Sequence, residues 1–418
     1  MNKKISYLVV CLLFFQFSIL DQQQFLVATQ NSHEELSIFT RKIITDNFPG
    51  ALGIQFIDFD KDGDIDILGA SHLGHELAWL ENTNLEFKKR VITSEFEGAT
   101  DITAFDLNND SNNEIIGIAD INSEIAIWEQ NNANFTKKIL KEAYYGAFSV
   151  GGIDIDNDKD IDLVSTAQTS NEINLWINQG NLHFTEFVIS DDFGDPSFSF
   201  FADINNDKLE DIIVTSIQNN KISYWRNNNN YSFTESNIAM DYFKAHSGEP
   251  VDVDNDKDFD IVAVSYSGLL NWYENTYSGG FIDHLISNNL SGPVDARAGD
   301  IDIDNDTDIV VIDQSEEEII LFRNDGNQNF TWNLVSSNYR GSRCLLVDID
   351  EDGDIDILTS SNQLGDISLW INNQKRIEKN TEFISTEEHT SSVPSSFSVT
   401  AVFLLLIIKR KFIKKDTL

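Results

Sequence analysis

Residues 58–82 read DFDKDGDIDILGASHLGHELAWLEN, which is an aspartate-crowded stretch, an apolar run, a short polar link and a second apolar run around a tryptophan. The order returns every 48 or 49 residues. Its acidic part reappears as DLNNDSNNE (106–114), DIDNDKDID (154–162), DINNDKLED (203–211), DVDNDKDFD (252–260) and DIDEDGDID (348–356). A less regular copy, DIDIDNDTDIV, stands at 300–310. Internal repetition of this period is the first thing to settle in a sequence, because it dictates the architecture.

Each repeat also carries a run opened by phenylalanine: FTRKIIT at Phe39, FKKRVIT at Phe87, FTKKILK at Phe135 and FTEFVIS at Phe184. FTESNIA at Phe233, FIDHLIS at Phe281 and FTWNLVS at Phe330 complete the set. All the runs are short, β-branched and aromatic, and Asn, Asp, Gly and Ser separate them, which is strand chemistry. No amphipathic helix lies between them. Four short strands per repeat, repeated seven times, predict an all-β, seven-bladed β-propeller over residues 38–374. The repeat phase predicts its closure. A Phe39-type strand precedes the first acidic cluster and none follows Trp370, so residues 38–45 are expected to pair with the last blade as its outermost strand, leaving no open sheet edge.

Two carboxylates about 4 Å apart repel by roughly 4 kcal/mol at an effective dielectric near 20, so four or five in one tight loop require compensation. Oxygen donors at positions 1, 3, 5 and 9 of a nine-residue loop, without His or Cys, suit calcium rather than zinc or copper. The expected ligands are Asp58, Asp60, Asp62 and Asp66 in loop one and Asp106, Asn108, Asp110 and Glu114 in loop two. Loop three offers Asp154, Asp156, Asp158 and Asp162, and loop four Asp203, Asn205, Asp207 and Asp211. Loop five offers Asp252, Asp254, Asp256 and Asp260, and loop seven Asp348, Asp350, Asp352 and Asp356. In loop six Asp302, Asp304, Asp306 and Asp308 are assigned, with Asp302 first and the loop two residues short. Up to seven Ca2+ ions follow, with loops two and six the least regular. An EF-hand is excluded: position 12 of the first loop is Gly69 rather than glutamate, and no helices flank it.

Motif and period together resemble the FG-GAP and VCBS-type repeat family, the propeller also found at the N-terminus of integrin α chains. FPGA (48–51), FEGA (96–99), YGA (145–147) and FGDP (193–196) match its namesake in part, LSGP (290–293) and YRGS (339–342) more weakly, and DYFKAHSG (241–248) departs most. The resemblance implies calcium loops on one face and ligands on the opposite face. It implies no integrin-like receptor role, since nothing like an integrin leg or signalling tail follows the repeats.

The formal net charge of −40 argues against nucleic acid as a partner, because no basic patch is present to neutralise phosphates. Residues 1–28 place two lysines before a long apolar stretch, the order of an export signal. Residues 375–396 read as an S/T/E-rich linker. Residues 397–418 join a short apolar run to Lys409, Arg410, Lys411, Lys414 and Lys415, the pattern of a membrane anchor or sorting tail that leaves the body outside. The expected function is a binding or adhesion module at the cell surface, recognising a protein or a carbohydrate. The alternative is a propeller-based polysaccharide lyase or dehydratase. His72 and His75 are the only close histidine pair for such chemistry and read more readily as loop residues. Trp79, Trp128, Trp176, Trp225, Trp272 and Trp370, once per blade, read as packing between blades. Phe48, Phe96, Tyr145, Phe193, Tyr242 and Tyr339 precede the inner strands. The links that vary most, such as SHLGHE, DINSE and SNQLGD, are where specificity is expected.

Overall fold

The computed structural model describes residues 35–131, 134–276 and 280–374. The expected leader (1–28), linker (375–396) and tail (397–418) lie outside them. Among the described residues there are 28 strands, grouped in seven four-stranded antiparallel sheets arranged as a ring. No helix of the described residues is long and apolar enough to cross a membrane.

Blade one shows the plan. Its strands are Ala51–Ile57, Asp66–Ser71, Glu76–Thr83 and Glu86–Thr93, from the axis outward. The inner strands of adjacent blades touch around the ring, Ala51–Ile57 meeting both Ala99–Phe105 of blade two and Arg343–Val347 of blade seven. The second strand of every blade is buried at all six residues. Covered by neighbouring blades on both faces, it reads as a continuous apolar run; the half-solvated outer strand of blade one alternates instead.

Closure follows the predicted phase. Phe39–Thr45 pairs antiparallel with Asp366–Asn372, Phe39 opposite Asn372 and Arg41 opposite Trp370. The preceding residues extend the seam to blade six: the Leu36 N–H donates to the Leu334 carbonyl (2.7 Å), and the Glu35 carboxylate accepts from the Ser337 N–H (2.7 Å) and hydroxyl (2.6 Å).

The tryptophans are buried between blades, as expected, but in two registers. Trp128, Trp176, Trp225 and Trp370 sit opposite Ile115, Leu163, Ile212 and Ile357 and join the cluster shared with the preceding blade. Trp79 and Trp272 stand one position earlier, opposite Leu68 and Val262, and pack on the following blade. In a strand a one-residue shift reverses the face. The aromatics ahead of the inner strands are also core: Phe48, Phe96, Phe193, Tyr242 and Tyr339 are buried. Tyr145 is not. It is 58% exposed, and the neighbouring Tyr144 occupies the buried place, its hydroxyl 3.0 Å from Ser165 Oγ.

Charged groups cross the axis. Arg343 of blade seven donates to Asp101 of blade two (2.6 Å) and lies 4.2 Å from the centre of the Phe198 ring of blade four. Arg297 pairs with Asp295 (3.0 Å), and the Glu249 carboxylate accepts the Ala298 N–H (2.8 Å). A buried charge persists only when paired, as in Arg343–Asp101 and Arg297–Asp295.

Candidate metal centres and the facing mouth

Each acidic cluster joins an inner strand to a second strand, so all seven lie at one end of the blades. The turn is built by the aspartates themselves. In loop three Asp154 accepts the N–H groups of Asp158 and Lys159 (both 3.0 Å), and Asp158 accepts that of Asp160 (2.9 Å). Short carboxylates closing turns on nearby N–H groups are the physical reason for Asp at positions 1, 3 and 5. Two residues of every loop sit at positive φ. Position 6 is Gly63, Ser111, Lys159, Lys208, Lys257, Asn305 or Gly353, and position 4 is Lys61, Asn109, Asn157, Asn206, Asn255, Ile303 or Glu351. Asparagine tolerates that region better than most residues, which accounts for its recurrence at position 4.

Position 9 is a brace. Asp66 accepts the Phe59 N–H (3.0 Å) on one oxygen and the Asn82 N–H (2.7 Å) on the other. The same two bonds hold Asp162, Asp260, Asp308 and Asp356. The asparagine on the third strand then reaches to the preceding blade: Asn178 Nδ2 donates to the Leu107 carbonyl (2.8 Å), Asn227 to Ile155 (3.0 Å), Asn275 to Ile204 (2.8 Å) and Asn372 to Ile301 (2.9 Å). Loop, blade and neighbouring loop are thus one hydrogen-bonded unit. Burial pushes these carboxylates up, Asp66 to about 6 and Asp162, Asp260, Asp308 and Asp356 to about 7.

Five clusters bring carboxylate oxygens within 4.8 Å of one another: Asp58, Asp60 and Asp62; Asp154, Asp156 and Asp162; Asp252, Asp254 and Asp260; Asp300, Asp302 and Asp304; Asp348, Asp350 and Asp352. The donor set fits a hard cation. Oδ1 of Asp58, of Asp302 and of Asp348 is buried without a hydrogen-bond donor, so an acceptor in each of these loops awaits positive charge. Loops two and four fit less well. There an asparagine amide donates into the cluster, Asn108 to Glu114 and Asn205 to Asp211 (both 3.0 Å). The calcium expected in loop four is weakened on the same ground as that in loop two. Where a cation binds, it supplies charge compensation, and the residues named would hold it.

Loop six corrects the sequence reading. Asp300, not Asp302, is first: its carboxylate accepts the N–H groups of Asp304 (3.0 Å) and Asn305 (3.1 Å), and Asp308 closes the loop on the Ile301 N–H (3.1 Å). No residues are lost. Asp302 and Asp304 take positions 3 and 5, and Asp306 falls at position 7, outside the cluster. The Arg323 guanidinium stands 3.6 Å from Asp302.

The links between second and third strands lie at the other blade end. Their first residues His72, Asp120, Gln168 and Asn362 come together around a cavity of about 360 Å³ at the mouth of the ring. His72 Nε2 meets both oxygens of Asp120 (3.0 and 3.1 Å), which raises the imidazole above its ordinary range. Gly98, at φ 74°, lets that aspartate sit close; a Cβ there would fall 2.2 Å from Asp120 Oδ1. His75 does not join His72, and its Nδ1 instead accepts the Gly98 N–H (3.2 Å). The candidate histidine pair is therefore divided between a mouth group and a turn.

The FG-GAP-like repeat pattern matches residues 58–117, 154–214, 203–263 and 300–359, more than half of the chain and all seven acidic loops. The chain belongs to the FG-GAP-like repeat family. One matched stretch begins at Asp300, in agreement with the hydrogen bonding of loop six. No curated protein matches the chain.

Among solved structures this FG-GAP-like propeller is similar to BBS1N in complex with ARL6DN, soaked with mercury, at 12% identity and a TM-score of 0.59, covering 80% of this chain and 97% of that one. The lead-soaked crystal of the same complex gives 12% and 0.58 over the same shares. An auxiliary nutrient binding protein from Bacteroides ovatus aligns at 10% identity and a TM-score of 0.45, covering 78% of this chain and 69% of that one. At these identities the likeness concerns the fold.

Proposed function

We propose that this FG-GAP-like propeller is a calcium-braced extracellular binding module, tethered at the cell surface through its C-terminal tail, that takes a protein or carbohydrate ligand at its mouth. One observation carries the reading. Four of the variable links, those of blades one, two, three and seven, line one cavity, while the loops that repeat lie at the opposite blade ends. Side chains free of a structural duty, gathered on a rigid frame, are the usual basis of recognition. The acidic loops brace rather than catalyse in this reading, because a catalytic metal needs one open site and these clusters recur around the ring.

The test uses the body, residues 29–390, on protein and glycan arrays beside a Gln168→Ala/Gln363→Ala variant of equal melting temperature. The expected outcome is a ligand whose binding the double variant loses. Binding that the variant retains in full would place recognition elsewhere. Surface display is checked separately: protease added to intact cells should release the propeller, and a body protected inside the cell would end that part of the reading.

A further inference from the structure

We propose that the mouth cavity holds a neutral sugar residue of a carbohydrate chain, a deduction that rests on the mouth being the binding face. Its size, about 360 Å³, lies at the lower end of the roughly 300–1,000 Å³ of small-molecule sites. The lining decides the chemistry. Gln168, Gln363 and Asn362 present amides, each with donors and acceptors at one planar head, which suits adjacent hydroxyl groups. Asn362 Oδ1 is buried with no hydrogen-bond donor of the protein in reach, an orphaned acceptor in the cavity wall. Phe148, half-buried and 5.2 Å ring to ring from Phe198, offers an aromatic surface for the C–H side of a sugar ring.

Charge removes the competing classes. The cavity has no Lys or Arg in its lining, its one imidazole, His72, is committed through Nε2 to Asp120, and the chain carries −40 overall, so a phosphate, sulfate or uronate would meet net repulsion. Its one carboxylate, Asp120, is already engaged by His72 through both oxygens, which leaves a cationic ligand no free anion. A small neutral ligand rich in hydroxyls is what remains.

The experiment prints neutral oligosaccharides (glucan, mannan, xylan and galactan fragments) beside sulfated, sialylated and uronic-acid glycans, with the calcium-loaded body as probe. Wild-type protein should bind a neutral set. Asn362→Ala and Gln168→Ala should each weaken it about tenfold, the loss of one good hydrogen bond, and Phe148→Leu should do the same at unchanged melting temperature. Binding only to charged glycans, no binding to any glycan, or neutral binding indifferent to all three variants would each overturn the proposal. Capture of a protein ligand at the same mouth, with no sugar bound, would overturn the sugar while leaving the binding-module reading intact.

Discussion

The two ends of each blade obey different rules. At the acidic end, all seven loops keep Asp at positions 1 and 5, Asp or Asn at position 3 and Asp or Glu at position 9. At the mouth end, HLGH, DINS, QTSN and NQLG share little. Both connect adjacent antiparallel strands, so strand geometry alone does not explain the contrast. The acidic loop spends its side chains on its own backbone: positions 1 and 5 close turns, position 9 binds two N–H groups, and positions 4 and 6 need positive φ. A mouth link also braces backbone, but with a different side chain in each blade: His75 Nδ1 accepts the Gly98 N–H, Asn122 Oδ1 that of Glu97 and Asn171 Oδ1 that of Asp195. Bracing is uniform at one end and varied at the other.

Removing calcium should break that contrast most sharply. Extracellular calcium modules bind with dissociation constants of about 0.1–1 mM, so at millimolar calcium each site adds about 0.4–1.4 kcal/mol. Over the five carboxylate clusters this totals about 2–7 kcal/mol. Thermal unfolding in EDTA against 1 mM calcium should show it as a large fall in Tm, and an unchanged Tm would remove the metal from the acidic end altogether.

The axis between the two ends offers the next largest effect. Burial raises Glu249 to about 7 from an ordinary 4.5 despite Arg297 nearby. The folded state then holds this proton more tightly than the unfolded chain. Its contribution is fully present below about pH 4.5 and is lost as pH rises towards 7, up to about 3 kcal/mol. Glu249→Gln should therefore raise stability at pH 8 and change little at pH 4.5. Denaturant midpoints at the two pH values measure the difference, and an equal gain at both would mean that packing, not charge, is responsible.

Within the acidic end, Ile303 is the odd residue: a β-branched side chain at φ 66° where four other loops have asparagine. Left-handed backbone costs such a residue roughly 1–2 kcal/mol. Ile303→Asn should recover about 1 kcal/mol, read from the denaturant midpoint; a loss instead would show that the isoleucine packs usefully. The smallest effect belongs to the mouth. Gln168→Ala and Gln363→Ala should each shift stability by no more than about 0.5 kcal/mol, and a larger loss in a melting curve would blur the division between the two ends.

Much of this was legible in the sequence. The missing partner for Trp370 announced that Phe39–Thr45 closes the ring, and positions 1, 3 and 5 of the regular loops stood out from spacing alone. Loop six misled because DIDIDNDTD alternates Asp with other residues, so a frame moved by two looks equally good until the hydrogen bonds of Asp300 fix it. Tyr144 and Tyr145 are adjacent aromatics, and only burial tells which one is core. Trp79 and Trp272 look equivalent to the other tryptophans because a one-residue shift is small in sequence and a whole face in a strand. The asparagines at 82, 178, 275 and 372 went unread, since their partners lie on other strands and, for the last three, on another blade. The recurring asparagine at position 4 was a signal present in the text.

The seam has a consequence for how the molecule is made. Arg41 leaves the ribosome 327 residues ahead of Ser368, the residue to which it donates a hydrogen bond. Bringing the ends of so long a chain together costs roughly 5 kcal/mol of entropy if the segment between is slack. If the intervening blades have already stacked, they curve the chain back on itself and most of that cost is met before the last strand appears. Phe39–Thr45, the first of the described strands to be synthesised, is then the last to find its place, and until that moment it is an unpaired edge that another nascent copy can capture.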